Sequence, residues 1–361
     1  MQTRRSFLAG LAALPLAGTA GRARAAQAGL DGLASRTGRF FGTAVTARAV
    51  SAADALSRLL DAECGVWVPE WQLKWGALVE REGAAPDFRN VDAIVAAARQ
   101  GGKRMRGHTL LWHENVPPFV AELASRSDWD RYVAPHIAGV AGRYRDAFFQ
   151  WDVVNEAIEP KHGEAGGMRR TPFYAMLGPD YVAEAFRLAH AAAPGARLYL
   201  NDYGVCYAEG WQERRRESVL SLLERLLREG VPVHGFGIQG HLDTRFRFDE
   251  RRFARFVGAL ESLGLEIAIT ELDVREADGA AGIAIPERQR RAADEVRKVL
   301  SVACASKALA GVVTWGLSDG DSWLRKWRDL PDNQGLPYDS HLAPTPMRAA
   351  LAECLTATAR R

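Results

Sequence analysis

The sequence predicts an α/β protein with a single (β/α)8 barrel, and three observations indicate this fold class. Short apolar runs alternate with longer segments of helical periodicity, as in proteins built from βα units. Eight such runs occur in about 330 residues, which is a size typical of one TIM barrel. No Gly/Pro/Ser-rich linker divides the chain and no GxGxxG motif follows the first run, so two doubly wound halves are not favoured.

The predicted strands are the apolar runs themselves. In chain order they are Phe40–Val45, Gly65–Pro69, Lys103–Thr109, Phe148–Val154, Arg197–Leu200, Gly235–Ile238, Glu266–Thr270 and Gly311–Thr314. Helices are predicted between them, for example over Val91–Arg99, Tyr181–Ala192, Ser218–Arg228 and Arg288–Leu300. In the last of these segments, Ala292, Val296 and Val299 recur at three- and four-residue steps, which defines one buried stripe.

The N-terminal segment is expected to be an export signal rather than part of the fold. Arg4 and Arg5 form a twin-arginine pattern, an apolar run follows from Phe7 to Ala17, and Ala23-Arg24-Ala25 offers a small-x-small cleavage site. The apolar run is too short for a membrane-spanning helix. We therefore assign residues 1–25 to a twin-arginine signal and 26–361 to the barrel, and expect a periplasmic or secreted protein that is not held in a membrane after signal removal.

Charge and cysteine content argue against two classes of partner. The formal charge of the chain is +3, and residues 1–25 carry four arginines and no acid, which leaves −1 for the rest. This near neutrality fits an uncharged substrate, and Arg214-Arg215-Arg216 is expected to be a solvated helix face rather than a nucleic-acid site. The four cysteines lack CxxC spacing, so no zinc cluster is expected. They are predicted to be buried thiols, with one disulfide possible and its partners unreadable.

Polar and tryptophan side chains follow the predicted strands, where a barrel gathers its chemistry at one mouth. They are Glu70, Trp71, Lys74 and Trp75 after strand two; His108, Trp112 and His113 in and after strand three; Asn155 and Glu156; Asn201, Asp202 and Tyr203; Gln239 and His241; Glu271 and Asp273; and Trp315, Asp319 and Trp323. Sugar rings stack on tryptophan, and their hydroxyls require amide and carboxylate partners. The pattern therefore indicates a carbohydrate site, with a polysaccharide as the partner.

Cleavage of a glycosidic bond requires two carboxyl groups, and Glu156 and Glu271 are the candidates. One must be protonated to donate to the leaving oxygen, and the other must be ionised to attack the anomeric carbon. A retaining mechanism places them roughly 5–5.5 Å apart. Either glutamate alone could be a solvated loop residue, but both stand in polar clusters on their own strands. This chemistry needs no metal and no cofactor.

Four segments resemble glycoside hydrolase family 10, the endo-β-1,4-xylanases. They are the segment from Gly107 to His113, the segment from Trp151 to Glu156, the segment from Ile269 to Asp273, and Trp315-Gly316 with Asp319 to Trp323. The resemblance covers about residues 40–350. It implies that Glu156 is the acid/base and Glu271 the nucleophile, that Asn155 binds the 2-hydroxyl of the sugar being cleaved, and that His241, held by Asp273, orients Glu271. It further implies that Gln239 lies near Glu156 and that His108, Lys74, Trp112, Trp315 and Trp323 shape the glycone subsites.

The chain departs from the family pattern at three places. Trp71 stands where the family usually has Asn, Glu114-Asn115 stands where it has Ser-Gln, and Phe119 and Gly204 replace a Trp and an Asn. Two of these departures touch the region that would bind the sugar one step beyond the cleavage site. The main hypothesis is therefore an endo-β-1,4-xylanase, expected to be a monomer, with a retaining endo-β-glycanase of different or decorated glycan specificity as the alternative.

Two further alternatives come from other classes. A metal-dependent barrel hydrolase would use His108, His113, His241 and Asp273, but its usual HxH pair is missing from the first predicted strand. A non-catalytic sugar-binding barrel would need no pair of glutamates. Chelator sensitivity distinguishes the first from a glycanase, and detectable xylan cleavage would exclude the second.

Overall fold

A computed structural model describes residues 28–277, 280–325, 330 and 332–357. The predicted export signal over residues 1–25 lies outside this part of the chain. Among the described helices, none is both long enough and apolar enough to cross a membrane.

Eight parallel strands form a closed barrel, which confirms the predicted fold class. The strands are β1 (Phe40–Val45), β2 (Val66–Pro69), β3 (Arg104–Trp112), β4 (Phe148–Asn155), β5 (Arg197–Asp202), β6 (Gly235–Ile238), β7 (Glu266–Arg275) and β8 (Leu309–Thr314). Each strand pairs with the next in the sequence, and β8 pairs with β1 to close the barrel. A further three-residue strand, His241–Asp243, pairs with the end of β7.

Several strands extend past the apolar runs that predicted them. β3 continues to Trp112, β5 to Asp202 and β7 to Arg275, because the strand pairing continues: Trp112 is in register with Asn155, and Asn155 with Asn201. Some polar residues of the barrel mouth, Asn155, Asn201 and Glu271 among them, therefore lie within strands rather than on loops. This gives the site a rigid base.

Helices surround the barrel. They are α1 (Leu30–Ala34), α2 (Ala47–Ser51), α3 (Ala55–Glu63), α4 (Trp75–Leu78), α5 (Arg89–Gln100), α6 (Arg126–Asp128), α7 (Ala134–Arg143), α8 (Pro172–Leu177), α9 (Tyr181–Ala192), α10 (Gly210–Arg228), α11 (Glu250–Ser262), α12 (Ile285–Ala303) and α13 (Pro346–Thr356). A single π-helical turn over Trp129–Val133 connects α6 to α7. The predicted helix over Ser218–Arg228 is the second half of α10.

The expectation that the basic triplet is a solvated helix face was wrong for two of its three residues. Arg214 is exposed, but Arg215 and Arg216 on α10 are buried. Arg215 pairs with Asp202 at the end of β5, and Arg216 donates to the carbonyls of residues 205 and 207. A buried guanidinium is tolerated because acceptors surround it.

Two apolar layers stabilise the barrel, one between strands and helices and a smaller one inside it. Trp67 and Trp151 belong to the core. A Cβ on Gly107 would lie 2.2 Å from the Trp151 ring, so this glycine allows β3 and the indole to pack together. Trp75 also belongs to the core: its ring stacks on His136 with a centroid distance of 4.1 Å.

The cysteines divide into two classes. Cys64 and Cys206 are buried thiols, as expected. The other two, Cys304 and Cys354, form the one disulfide that the sequence left possible, and it joins the end of α12 to α13. The packing of these helices brings the two Cα atoms to 5.9 Å, within the normal range for a disulfide.

Candidate active site

The two candidate glutamates lie at the carboxyl ends of β4 and β7 and are both buried, with 9% and 5% of their surface exposed. Glu271 lies within β7. Glu156 follows β4 directly, and its backbone adopts a left-handed conformation with φ of 60°. Its amide donates to the carbonyl of Asn201 at 2.8 Å, which holds that conformation. A non-glycine residue in this region costs of order 1–3 kcal/mol, and such strain concentrates at functional sites.

A chain of amides links the two carboxylates. Asn201 Nδ2 donates to Glu271 Oε1 at 2.7 Å and to Asn155 Oδ1 at 2.8 Å. Asn155 Nδ2 in turn lies 3.3 Å from Glu156 Oε1, and Gln239 Nε2 donates to the same oxygen at 3.1 Å. Asn201 was recognised as a residue at the end of a strand but was not given a role. Its position between the two glutamates depends on the register of β4 and β5, which the sequence does not show.

The surroundings of Glu271 favour its ionised form. His241 Nε2 lies 3.2 Å from Glu271 Oε2, and His241 Nδ1 lies 2.8 Å from Asp273 Oδ1. Burial raises the pKa of Glu271, but attraction to His108, the hydrogen bond and charge of His241 and the charge of Lys74 outweigh burial and lower the pKa to about 2. Burial likewise disfavours the charged form of His241, yet Asp273 and Glu271 raise its pKa to about 10.

The surroundings of Glu156 favour its protonated form. Burial raises the pKa of Glu156 to about 7, and the nearby indole of Trp112, the hydrogen bond from Gln239 and the charge of Arg169 offset only part of this effect. The negative charge of Asp202 adds to the increase. The two carboxyl groups of one cleft therefore differ in protonation near neutral pH, which is how acid and base roles are separated in active sites.

A buried ion pair inside the barrel holds the side chain of His108 in place. Its Nδ1 lies 2.9 Å from Asp152 Oδ2 and 3.8 Å from Glu271 Oε1. Asp152 is fully buried and forms a bidentate ion pair with Arg106. Neither Arg106 nor Asp152 was assigned a role from the sequence. The available signal was an aspartate within an apolar strand, which requires a buried partner.

Aromatic side chains and one lysine form another wall of the cleft. Lys74 Nζ lies 4.4 Å from the ring centre of Trp112 and 5.7 Å from that of Trp315. Trp315 packs edge-on against His108 at 5.0 Å. Burial lowers the pKa of Lys74, and the charges of Glu271, Glu70 and Glu156 oppose this shift, which shows that the lysine faces these acids. Trp323 completes the wall, and its indole donates to Asp273 Oδ2 at 2.7 Å.

Tyr203 lies on the Glu156 side of the cleft and is held by two arginines. Arg169 Nη2 donates to the Tyr203 hydroxyl at 3.0 Å, and Arg169 Nε donates to the Glu156 carbonyl at 2.8 Å. The guanidinium of Arg215 lies 4.0 Å from the centre of the Tyr203 ring. Arg169 was not identified from the sequence, because it belongs to a segment without periodicity between β4 and α8.

Three further residues singled out in the sequence, Asp319, Phe119 and Trp71, have surroundings that differ from those of the two glutamates. Asp319 is buried and accepts from the amides of Gly335 and Leu336 at 3.0 Å each, so it anchors a loop; burial raises its pKa to about 8. Phe119 packs on Tyr132 with a centroid distance of 5.3 Å. Trp71 is 49% exposed at the end of β2.

The metal-site alternative required His108, His113, His241 and Asp273 to share an ion. The structure directs His108 and His241 toward carboxylates instead, with His241 contacting an acid through each ring nitrogen. Of that set, His113 belongs to a different group: its donor atom and those of Glu114 and Glu156 lie within 4.8 Å of one another.

Comparison with known proteins identifies the family. The sequence model of Glycosyl hydrolase family 10 matches residues 29–354. The chain belongs to this family. Endo-1,4-beta-xylanase 5 of Pyricularia oryzae is 32% identical over 337 residues, which are 92% of this chain and 79% of the relative. Endo-1,4-beta-xylanase 3 of Hypocrea jecorina is 32% identical over 328 residues, covering 90% of this chain and 84% of the relative.

Solved structures of family 10 members have the same fold. Native xylanase 10B from Thermotoga maritima superposes with a TM-score of 0.81 at 27% identity, covering 91% of this chain and 98% of the other. Xylanase 10B from Thermotoga petrophila in complex with xylobiose also gives 0.81 at 27% identity, covering 91% and 97%. The resemblance found in the motifs therefore extends over the whole barrel.

Proposed function

We propose that this chain is an endo-β-1,4-xylanase that cleaves internal bonds of xylan with retention of anomeric configuration. Family membership and the endo-xylanase relatives support the substrate. The observation that carries the chemistry is a pair of buried carboxyl groups, Glu156 and Glu271, joined by the amides of Asn155 and Asn201. Their surroundings shift the two pKa values in opposite directions, that of Glu156 upward and that of Glu271 downward. A retaining glycosidase requires one acid and one ionised nucleophile facing the same bond.

In the first step, Glu156 donates its proton to the leaving glycosidic oxygen while Glu271 attacks the anomeric carbon and forms a covalent glycosyl-enzyme. In the second step, Glu156, now ionised, takes a proton from water, and that water attacks the anomeric carbon and releases Glu271. Asn155 is assigned to the 2-hydroxyl of the reacting sugar. His241, fixed by Asp273, is a positioning residue for Glu271.

The tryptophan wall is assigned to the glycone sugars. Trp112, Trp315 and Trp323 offer apolar faces for sugar rings, and Lys74, Glu70 and His108 offer polar groups beside them. Tyr203 and Gln239 border the acid/base. No step requires a metal or cofactor, so activity is expected to be insensitive to chelators.

The test is product profiling on xylan, mixed-linkage glucan and carboxymethyl cellulose, with the anomer followed by NMR at early times. We expect xylo-oligosaccharides from internal cleavage of xylan, released first as the β-anomer. Preference for a glucan would favour the alternative in which the altered residues Trp71, Asn115 and Phe119 select another glycan. Initial release of the α-anomer would overturn retention, and absence of cleavage on all three would favour a sugar-binding barrel.

We further propose that the protein is exported through the twin-arginine route and acts as a monomer in the periplasm or outside the cell. The Arg4-Arg5 pattern supports the first point. The monomeric state is supported by the surface: in the described part of the chain, the exposed large hydrophobic residues are Trp71 and Ile285. Two such residues provide too little apolar area for a stable interface. Replacing Arg4 and Arg5 by lysine should retain the protein in the cytoplasm. Light scattering of the purified protein should give the mass of one chain.

A further inference from the structure

The turn that follows β3 places two potential metal ligands beside the acid/base. His113 and Glu114 come directly after Trp112, the last residue of β3. Their donor atoms and a carboxylate oxygen of Glu156 all lie within 4.8 Å of one another, and His113 Nε2 is 3.7 Å from Glu114 Oε1. One imidazole and two carboxylates form a donor set that suits Zn²⁺.

Two of the three residues, Glu156 and Glu114, differ in exposure in a way that permits coordination. Glu156 is 91% buried, since 9% of its surface is exposed, and the amides of Asn155 and Gln239 both bind its Oε1. The side chain of Glu114, in contrast, is 63% exposed. Ligand atoms of tetrahedral zinc are about 3.4 Å apart when the bonds are about 2.0–2.1 Å. A small rotation of the exposed glutamate can therefore bring its oxygen from 3.7 Å to this separation from His113 Nε2.

The positive charges nearby have other partners as well. Arg169, which contacts the Glu156 carbonyl, has Glu159 3.8 Å from its guanidinium and also donates to the carbonyl of Ile158. Lys74 Nζ lies over the Trp112 ring, and the charges of Glu271 and Glu70 act on it more strongly than that of Glu156. A divalent cation can therefore bind at this corner of the cleft by displacing the proton of Glu156.

We propose that His113, Glu114 and Glu156 form an inhibitory zinc site that is specific to this chain. An ion held there would occupy the carboxylate that must carry the transferable proton, so it would block the first step and compete with substrate. Glu114 stands where the family motif has serine. The site would thus be a property of this chain and not a general feature of the barrel.

The test measures zinc binding directly, so its result does not depend on the substrate assignment. Untagged, metal-free wild type and the variants Glu114→Ser, Glu114→Gln and Glu122→Gln are titrated with ZnCl₂ by calorimetry. Glu122 is an exposed glutamate on the same connection and serves as the matched control. Wild type and Glu122→Gln should bind one zinc per chain, whereas both Glu114 variants should bind at least about tenfold more weakly, since even indirect ligand changes cost about 10–100-fold.

Inhibition is measured in parallel, relative to the metal-free rate of each variant. Zinc should inhibit wild type competitively against xylo-oligosaccharides, and EDTA should restore the rate. The proposal is overturned if wild type shows no saturable binding, if either Glu114 variant loses less than tenfold in affinity, or if bound zinc leaves the rate unchanged. Absence of xylanase activity in metal-free protein would contradict the proposed function instead.

Discussion

At the scale of single residues, burial acts on Glu156 and Glu271 in the same direction, and the neighbours decide the outcome. Glu271 faces His241, His108 and Lys74, and the hydrogen bond of His241 together with electrostatic attraction to all three groups outweighs the effect of burial on its pKa. Glu156 has the hydrogen bond of Gln239, the nearby indole of Trp112 and the charge of Arg169, which together are too weak to outweigh burial. Two identical side chains thereby receive different roles from their environments.

The pH dependence of kcat/KM should follow from these two groups. Activity requires Glu156 protonated, so it should fall as pH rises through about 7, where the free enzyme loses this proton. It requires Glu271 ionised, so it should fall only as pH approaches about 2. The profile is measured on a soluble aryl xylobioside. An activity that rises with pH between 6 and 8 would contradict the assignment of the acid.

Replacing Gln239 with Leu should move the basic limb of this profile to higher pH. Gln239 Nε2 donates to Glu156 Oε1 and favours the ionised carboxylate, so its loss raises the pKa of Glu156 further. The pH profile of the variant is compared with that of Gln100→Leu, which alters an exposed residue at the end of α5. A limb that stays in place or moves downward would show that this hydrogen bond does not tune the acid.

At the scale of elements, the disulfide between α12 and α13 should stabilise the last βα unit. It closes a loop of 50 residues, and such cross-links contribute about 2–4 kcal/mol to the free energy of unfolding. The double variant Cys304→Ser/Cys354→Ser should unfold at lower urea concentration than oxidised wild type. Reductant should lower the midpoint of wild type but not of the variant, and equal midpoints without reductant would show that the cross-link contributes nothing.

The strands show what a sequence does and does not reveal about such a fold. All eight were predicted from apolar runs, because burial on both faces of a parallel strand requires them. Their carboxyl ends were placed too early in β3, β5 and β7. In β5 and β7 the missed residues include polar ones, which give no apolar signal although the strand pairing continues, whereas in β3 the apolar run itself continues to Trp112 and its end was misplaced. The same limit explains why Asn201, Arg106 and Arg169 received no role: each is defined by a partner on another element.

At the scale of the whole molecule, closure of the barrel brings together polar residues that are far apart in the sequence. The convergence of Glu156 and Glu271 could be predicted, because all strand ends of a parallel barrel share one mouth. The burial of Arg215 and Arg216 could not, because a charge run on a helix is ordinarily solvated and only the packing of α10 shows its acceptors.

The raised pKa of Glu156 should also lower the free energy of unfolding at high pH. The pKa of Glu156 is raised from 4.5 to about 7, so keeping it ionised in the fold is unfavourable, and this cost is absent below about pH 4 and grows to about 3 kcal/mol at pH 8. Glu156→Gln should therefore be more stable than wild type at pH 8 and nearly equal at pH 4. Urea unfolding at both pH values, with Glu122→Gln as the control, measures the difference; equal stability at pH 8 would contradict it.

The central claim, that Glu271 is the nucleophile and Glu156 the acid/base, is tested most directly by azide rescue on an activated aryl xyloside. Glu271→Gly should lose nearly all activity, and azide should partly restore it by attack from the vacant face, giving the inverted α-xylosyl azide. Glu156→Ala with azide should give the β-azide, because the nucleophile is intact. Undiminished hydrolysis by Glu271→Gly, or a β-azide product from it, would contradict the account.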